Sequence, residues 1–365
     1  MIKNRKIPTV KTLVLANQRH FRIIRTRVFT VGIFLFFITL VCPFPLHSAQ
    51  PQYEIKLATL APENSSLMKI FREMNGELLK ETEERVGFKF FSGFALGDER
   101  DVFRKLRIGL IHAATFSSTF LANINPDIRA LQFPFLFKNY QEVDYVLDRM
   151  VGDFDQSFAK RGYQILGWSE IGFIYVMTTV HITKVEDWKG KKVWSTTNAP
   201  MANAVFAKAQ VSPVTVGAPD VLVALQTNLL EAVYNSPYYA LVTQWYTRIK
   251  YITDVPLSYV GIGLIISSKT FSRLSPQDKE ATIRVCRKYL RLLTEKTRKD
   301  NQQALELMLK RGVKKITIEP NELNRFKELL DQAMADVDPK VLPKDTLRKV
   351  TKTLDDYRAS KGESK

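Results

Sequence analysis

Cysteine and histidine are scarce in this 365-residue chain, with two cysteines (Cys42 and Cys286) and four histidines. Cys42 lies in the N-terminal apolar run described below, so the rest of the chain holds Cys286 alone and no internal disulfide can form there. Cys286 sits in an apolar helical pattern, where core packing is its expected role. Beyond the N-terminal run only His112 and His181 remain, and no zinc spacing such as H-E-x-x-H is present. A two-glycine phosphate loop is missing too. Gly167-Trp168-Ser169-Glu170 lacks the second glycine of a G-x-S-x-G elbow, and no histidine is placed by motif to act as its base. The expectation is a protein without catalytic residues, cofactor or metal.

Acidic residues are absent from the first 49 positions, which carry Lys3, Arg5, Lys6, Lys11, Arg19, Arg22, Arg25 and Arg27. Those eight account for nearly half of the formal net charge of +17. Subtracting them from 54 basic residues leaves 46 against 37 acidic ones, an excess of 9. No interleaving of aromatic and basic residues accompanies that excess, so nucleic acid is not an expected partner. The basic stretch leads into the apolar run Val28 to Leu46, broken by Pro43 and Pro45 and followed by Ser48 and Ala49. This pattern reads as a secretory signal peptide over residues 1–49, cut after Ala49. An uncleaved anchor is the alternative, since the run could nearly span a bilayer.

The remainder, 45% hydrophobic and 25% charged over the whole chain, has the balance of a soluble globular protein long enough for two domains. Tyr53 to Thr59 alternates as a strand does, Leu67 to Val86 has helical periodicity closed at Gly87, and Phe88 to Phe91 is a strand. Strand, helix, strand at this spacing predicts a parallel α/β sheet. Asp98 caps a helix from Arg100, Gly109 to Phe116 forms the next strand, and Leu131 to Phe137 is an apolar connector. A helix over Tyr140 to Arg161 precedes a buried strand, Tyr163 to Trp168. Val260 to Ser267 is another buried strand. Ser275-Pro276-Gln277-Asp278 caps a helix that runs without Pro or Gly to Lys310, roughly 50 Å long. Lys314 to Ile318 reads as a strand and Asn321 to Met334 as a helix, and residues 344–365 read as a fraying helix and charged tail.

Between these parts lies the stretch on which a functional reading rests. It opens T-K-V-E-D-W-K-G-K-K-V-W (Thr183 to Trp194) and closes A-L-Q-T-N-L-L-E-A-V-Y-N-S-P (Ala224 to Pro237). Lys192-Val193-Trp194 is a short strand after a turn at Gly190, Asp220 to Leu230 is helical, and Ala232-Val233-Tyr234 is a return strand. Trp194 and Asn235 then sit near strand ends, where α/β proteins hold ligands.

The same stretch resembles the solute receptors of tripartite ATP-independent periplasmic (TRAP) transporters, the DctP-like family, which typically reads "peDlkGlKiRv" and then "ALqtGvvDGqeNp". Glu186, Asp187, Lys189, Gly190 and Lys192 match the first motif, and Ala224, Leu225, Gln226, Thr227 and Asn235 the second. The likeness extends from Tyr53 to about Met334. It implies a two-lobed α/β periplasmic binding protein, with the ligand cleft between lobes and a long C-terminal helix running along both. Residues 50–171 with about 260–298 would form lobe I. Residues 172–259 with about 299–350 would form lobe II, followed by a charged tail over 351–365. TRAP membrane permease subunits are the implied partners. A branch of the wider family that lacks the carboxylate site adds a tetratricopeptide-repeat partner protein.

Receptors of this family hold an organic acid through arginines, one ending the "K-i-R" motif and another in an earlier "G-x-R". Trp194 and Ile174 stand at those two positions. A carboxylate buried without a cation would cost several kcal/mol of desolvation, against roughly 1.5–3 kcal/mol gained per charge-assisted hydrogen bond where the arginine is present. The expected ligand is therefore largely apolar or amphipathic. Phe116, Ser117, Trp168, Ile174, Trp194, Asn235, Tyr238 and Tyr239 are its expected contacts, with Phe173, Tyr175 and Tyr234 nearby. Trp at a strand end also packs cores, and Asn before Ser-Pro also forms turns. Lys191, Arg129 or Lys208 could supply a relocated cation, which would restore an organic-acid site. Asn228 and Ala232 replace two glycines of the second motif, and Glu231 its aspartate, so a reshaped turn is expected there.

Overall fold

The computed structural model describes residues 51–196 and 199–362, so the leader expected over residues 1–49 lies outside the described residues. The chain opens with β1 (Tyr53–Ala58), α1 (Ser66–Glu81), β2 (Val86–Phe91), α2 (Glu99–Arg107), β3 (Ala113–Ser117) and the one-turn α3 (Ser118–Leu121). A 3₁₀ helix (Pro126–Gln132) and α4 (Tyr140–Ala159) lead into β4 (Tyr163–Thr178). Then come β5 (Lys192–Ser195), α5 (Pro200–Lys208), β6 (Ser212–Thr215), α6 (Val221–Gln226), β7 (Ala232–Asn235), α7 (Pro237–Val242) and β8 (Tyr251–Thr253). The last part runs through β9 (Ser258–Ser267), α8 (Ser268–Phe271), α9 (Pro276–Lys310), β10 (Lys314–Ile316), α10 (Pro320–Ala335) and α11 (Lys344–Ser360).

Caps set many of these boundaries. Ser65 accepts a hydrogen bond from the Met68 N–H, Asp98 from Arg100 and Asp101, and Ser275 from Asp278, with Pro276 in the first turn of α9. Helix α1 stops earlier than its periodicity suggests. Glu83 and Glu84 take left-handed φ values of 49° and 61°, and the buried Thr82 hydroxyl donates to the Leu78 carbonyl. Gly87 therefore lies inside β2, where a Cβ would stand 2.9 Å from Leu79 and 3.0 Å from Pro51.

In one lobe the sheet order is β2-β1-β3-β9-β4, parallel except at β9. In the other, the distal half of β4 pairs antiparallel with β7 and β8, and β7-β5-β6 continue in parallel. Strand β4 has 16 residues, far beyond the expected end at Trp168, and it belongs to both lobes. Its antiparallel ribbon with β9 runs from Tyr163↔Ser267 to Ile174↔Ser258, with irregularities at Ile165/Gly167 and Glu170/Gly172. Buried Ser169 and Glu170 and the irregularity before Gly172 interrupt the apolar run, so hydropathy marked only its first part.

The 35-residue α9 crosses beside the second irregularity. Its Asn301 side chain donates to the Ile171 carbonyl at 2.8 Å and accepts from the Tyr238 N–H at 3.0 Å, joining β4 to the start of α7. Gly172 has φ +98°, and a Cβ there would lie 2.7 Å from Asn301 Nδ2 and 2.8 Å from the Tyr140 hydroxyl. Gly172→Ala should accordingly destabilise the protein by about 1–3 kcal/mol in urea unfolding, through strain and contact together.

Residues 344–360 are not a fraying tail. Val350 and Leu354 are buried in the core of the first lobe, and the Arg358 guanidinium donates to buried Glu142 at 2.7 Å and to the Leu136 carbonyl at 2.9 Å. The charged face had obscured a two-residue apolar stripe one helical turn apart. Leu354→Ala should cost about 2–5 kcal/mol in the same assay, where a solvated tail would give no change.

Candidate functional site

A cavity of about 1180 Å³ lies between the two halves of the sheet, somewhat above the roughly 300–1,000 Å³ usual for small-molecule sites. Its first wall comes from β3 and α3. Phe116 and Phe120 stack there at 4.9 Å, backed edge-on by Phe103. Facing them, Trp194 at the end of β5 packs at 5.5 Å on Tyr234 and at 5.3 Å, edge-on, against Trp245. The Trp194 indole N–H donates to the Val216 carbonyl at 3.1 Å, so its polar edge is satisfied by protein and its ring is left for packing. Tyr239 adds a ring 5.2 Å from Trp245, and burial pushes the Tyr234 hydroxyl up to about 12.

Seven of the eight expected contacts line this cavity: Phe116, Ser117, Ile174, Trp194, Asn235, Tyr238 and Tyr239. Trp168 does not. It lies on β4 against Phe154 and Phe158 of α4, and its indole N–H donates to Asp155 at 3.2 Å. A strand sends successive side chains to opposite faces, so position on the strand could not by itself aim Trp168 at the cleft. Phe173 and Tyr175 also stay out of the lining, Phe173 packing on Tyr140 at 4.7 Å. Asn235 reaches the cavity while its side-chain oxygen accepts from the Ser236 N–H at 2.8 Å, so the turn-forming role and the lining role coexist.

Sequence reasoning left residues 195–219 unassigned, and these supply a third wall. Met201 and Phe206 of α5 line the cavity together with Phe326 and Leu330 of α10, the helix on which α5 packs. Pro200 and Pro320, each in the first turn of its helix, were the signals available. Asn228, at φ +57°, takes the left-handed conformation that asparagine tolerates better than most residues, at a position where the family motif carries glycine.

Of the three relocated cations considered, Lys191 and Lys208 fall outside the lining. Lys191 lies 3.8 Å from Glu231, and Lys208 pairs with Asp336 at 2.9 Å. Arg129 does line the cavity. Four acids also do so, Asp98, Glu99, Glu170 and Asp300. Asp98 caps α2. Glu170 is held by Arg298 at 3.0 Å and by the Tyr259 hydroxyl at 3.2 Å, and Asp300 accepts from Ser66 at 2.9 Å and pairs with Lys296. Glu99 accepts from the Ser117 N–H at 2.6 Å and the Ser117 hydroxyl at 3.1 Å, and burial raises it to about 7. Among the described residues no cluster of His, Cys, Asp and Glu could hold a metal ion, and burial pushes the Cys286 thiol up, away from reactivity.

Residues 57–339 match the family model DctP, bacterial extracellular solute-binding protein, family 7, and the chain belongs to that family. It is thus a solute-binding protein with the two-lobed architecture that the Glu186–Lys192 and Ala224–Asn235 motifs implied. The sugar acid binding protein DctPAm of Advenella mimigardefordensis, solved with galactonate, superposes with a TM-score of 0.76 at 21% identity, covering 84% of this chain and 99% of that one. A TRAP periplasmic solute-binding protein from Ochrobactrum anthropi, solved with a C-terminus bound in its ligand pocket, also gives 0.76, at 20% identity over 85% and 97% of the two chains. In sequence the chain is 25% identical over 276 residues to YiaO, the 2,3-diketo-L-gulonate-binding periplasmic protein of Escherichia coli K12, spanning 74% of this chain and 83% of YiaO.

Glu99 gives the site a pH signature. Its folded pKa lies above the ordinary carboxylate value, so the folded state keeps a proton that the unfolded chain gives up. That stabilisation is full below about pH 4.5 and is lost as pH rises through about 7. The thermal midpoint should fall by roughly 2–4 °C across that window from this group, and Glu99→Gln should remove that part of the slope.

Proposed function

We propose that this protein is the exported receptor of a TRAP-type secondary transporter, and that it closes its two lobes on a largely apolar or amphipathic ligand. The observation that carries the reading is the lining of the cavity at the two positions where the resemblance places carboxylate-binding arginines. Trp194 and Ile174 are there instead, both nearly buried. A sugar acid of the kind named for the relatives would present its carboxylate to an indole and an aliphatic chain, and would lose its hydration without a charged partner. An apolar ligand meets stacked Phe116 and Phe120 on one side and Trp194 with Tyr234 on the other, surfaces that reward buried area at about 25 cal/mol per Å².

In this reading residues 50–171 with about 260–298 move as one lobe, and residues 172–259 with about 299–343 as the other. The crossings at β4, β9 and α9 form the hinge. Helix α11 travels with the first lobe, on which it packs. The protein does no chemistry on its ligand. It hands the ligand to membrane permease subunits, and a tetratricopeptide-repeat protein is a further partner to be sought. Among the described residues no helix is long and apolar enough to cross a membrane.

The test is displacement of an apolar fluorescent probe from the mature protein. An uncharged aliphatic competitor should displace it, whereas galactonate, succinate and lactate should not at millimolar concentration. Trp194→Ala should weaken the probe by roughly tenfold or more, about 1.4 kcal/mol. Micromolar displacement by a small hydroxy acid would sink the apolar reading and favour an ordinary organic-acid receptor.

A further inference from the structure

We propose that Arg129 and Gln132 form a head-group subsite for a carboxylate at one margin of the aromatic cavity, so that the ligand is an anionic amphiphile whose tail fills the remainder. The inference rests on the reading of this cavity as the ligand site and adds the polar end that an apolar lining leaves unspecified.

Arg129 is 8% exposed, and it is the buried cation of the lining. The other, Arg100, is exposed. Its guanidinium donates to the Ala122 carbonyl at 2.8 Å, the Val341 carbonyl at 3.1 Å and the Asn123 side-chain oxygen at 3.0 Å. All three acceptors are neutral, and no carboxylate among the described residues lies within ion-pair distance of it. A guanidinium has five donors, and these contacts leave part of the fork unengaged. Burial without a counter-charge disfavours the cation, and the Arg129 pKa is lowered for that reason.

Gln132 supplies the independent observation. Its side-chain oxygen accepts from the Thr119 hydroxyl at 3.2 Å, while its Nε2 is buried with no hydrogen-bond partner among the described residues. A buried amide N–H₂ without an acceptor is disfavoured and calls for an explanation. Both residues belong to the 3₁₀ helix Pro126–Gln132, in which positions three apart eclipse one another, so they share one face of it. Thr119 and Asn123, which hold the two side chains, also line the cavity. Unsatisfied donors of a buried cation and an amide on one face select an acceptor-rich anionic group, and a carboxylate matches the fork of a guanidinium.

Glu99, on the same side of the cavity, does not compete for these donors. Both of its oxygens are engaged by Ser117. Neither Trp194 nor Ile174 belongs to this group, so the acid would be seated away from the place where the family motifs put it.

Calorimetric titration of the delipidated mature protein with dodecanoate, dodecan-1-ol and dodecylammonium, probes of equal chain length, tests the assignment. Dodecanoate should bind roughly tenfold or more tighter than the alcohol, with the ammonium weakest. Arg129→Met and Gln132→Leu should each narrow the acid-to-alcohol ratio to below about threefold. Arg129 also ties down the Val341 segment, so Gln132→Leu, which removes an unpartnered group, is the variant that must fold and still show the loss. Equal binding of acid and alcohol, preference for the ammonium, or an acid preference that survives in folded Gln132→Leu overturns the head-group assignment and leaves the apolar cavity reading standing. No binding of any of the three probes overturns both.

Discussion

The pair Glu170–Arg298 is the fastening on which both lobes depend. Glu170, 1% exposed on β4, receives two hydrogen bonds from Arg298 of α9, which also donates to Asp144 of α4 and stacks 4.2 Å over the Tyr140 ring. A buried pair of this kind contributes little net stability over an apolar replacement, but removing one partner leaves a buried charge and costs about 3–5 kcal/mol. Its position explains why it is there. It fixes the long helix against the long strand beside the irregularity at Glu170/Gly172, where the sheet passes from one lobe to the other. One turn further on, Asn301 continues the same attachment to α7.

From that crossing the cavity follows. Strand β4 runs through both lobes, so β3 with α3 lies on one side of the gap and the β5–β7 strand ends on the other. The side chains presented there are mostly apolar, aliphatic and aromatic together, and the acids among them are engaged by local donors. The proposed site therefore offers mainly apolar area, with few polar groups. That division is common in small-molecule sites, where apolar area provides affinity and a few placed polar groups provide orientation.

Much of the fold was legible because its signals are local. The Asp98 and Ser275 caps, the 3.6-residue periodicity of α1 and α9, and the alternation of β1 each state a conformation within a dozen residues. The site was legible in part for a different reason. The resemblance to the family motifs placed Ile174 and Trp194 at the cleft, and both line the cavity. Trp168 shows the limit of that approach. It was drawn to the cleft by being aromatic near a strand end, but the face it occupies depends on strand register and on α4 packing behind it. The α5 and α10 walls were not visible for a similar reason. Their cavity-facing residues come from segments more than a hundred positions apart.

Taken alone, the sequence determined the class of the protein, the long capped helix and the absence of the usual cations from the family's positions, because each is written in adjacent residues or in a motif of fixed spacing. Tertiary structure alone decided that β4 is shared by two lobes, that α11 is packed and not a tail, and that Arg129 is buried beside the cavity without an acidic partner. Those facts depend on which distant groups lie within a few ångströms of one another. Coulomb interaction, desolvation and hydrogen bonding act over that distance in space, whatever the separation along the chain.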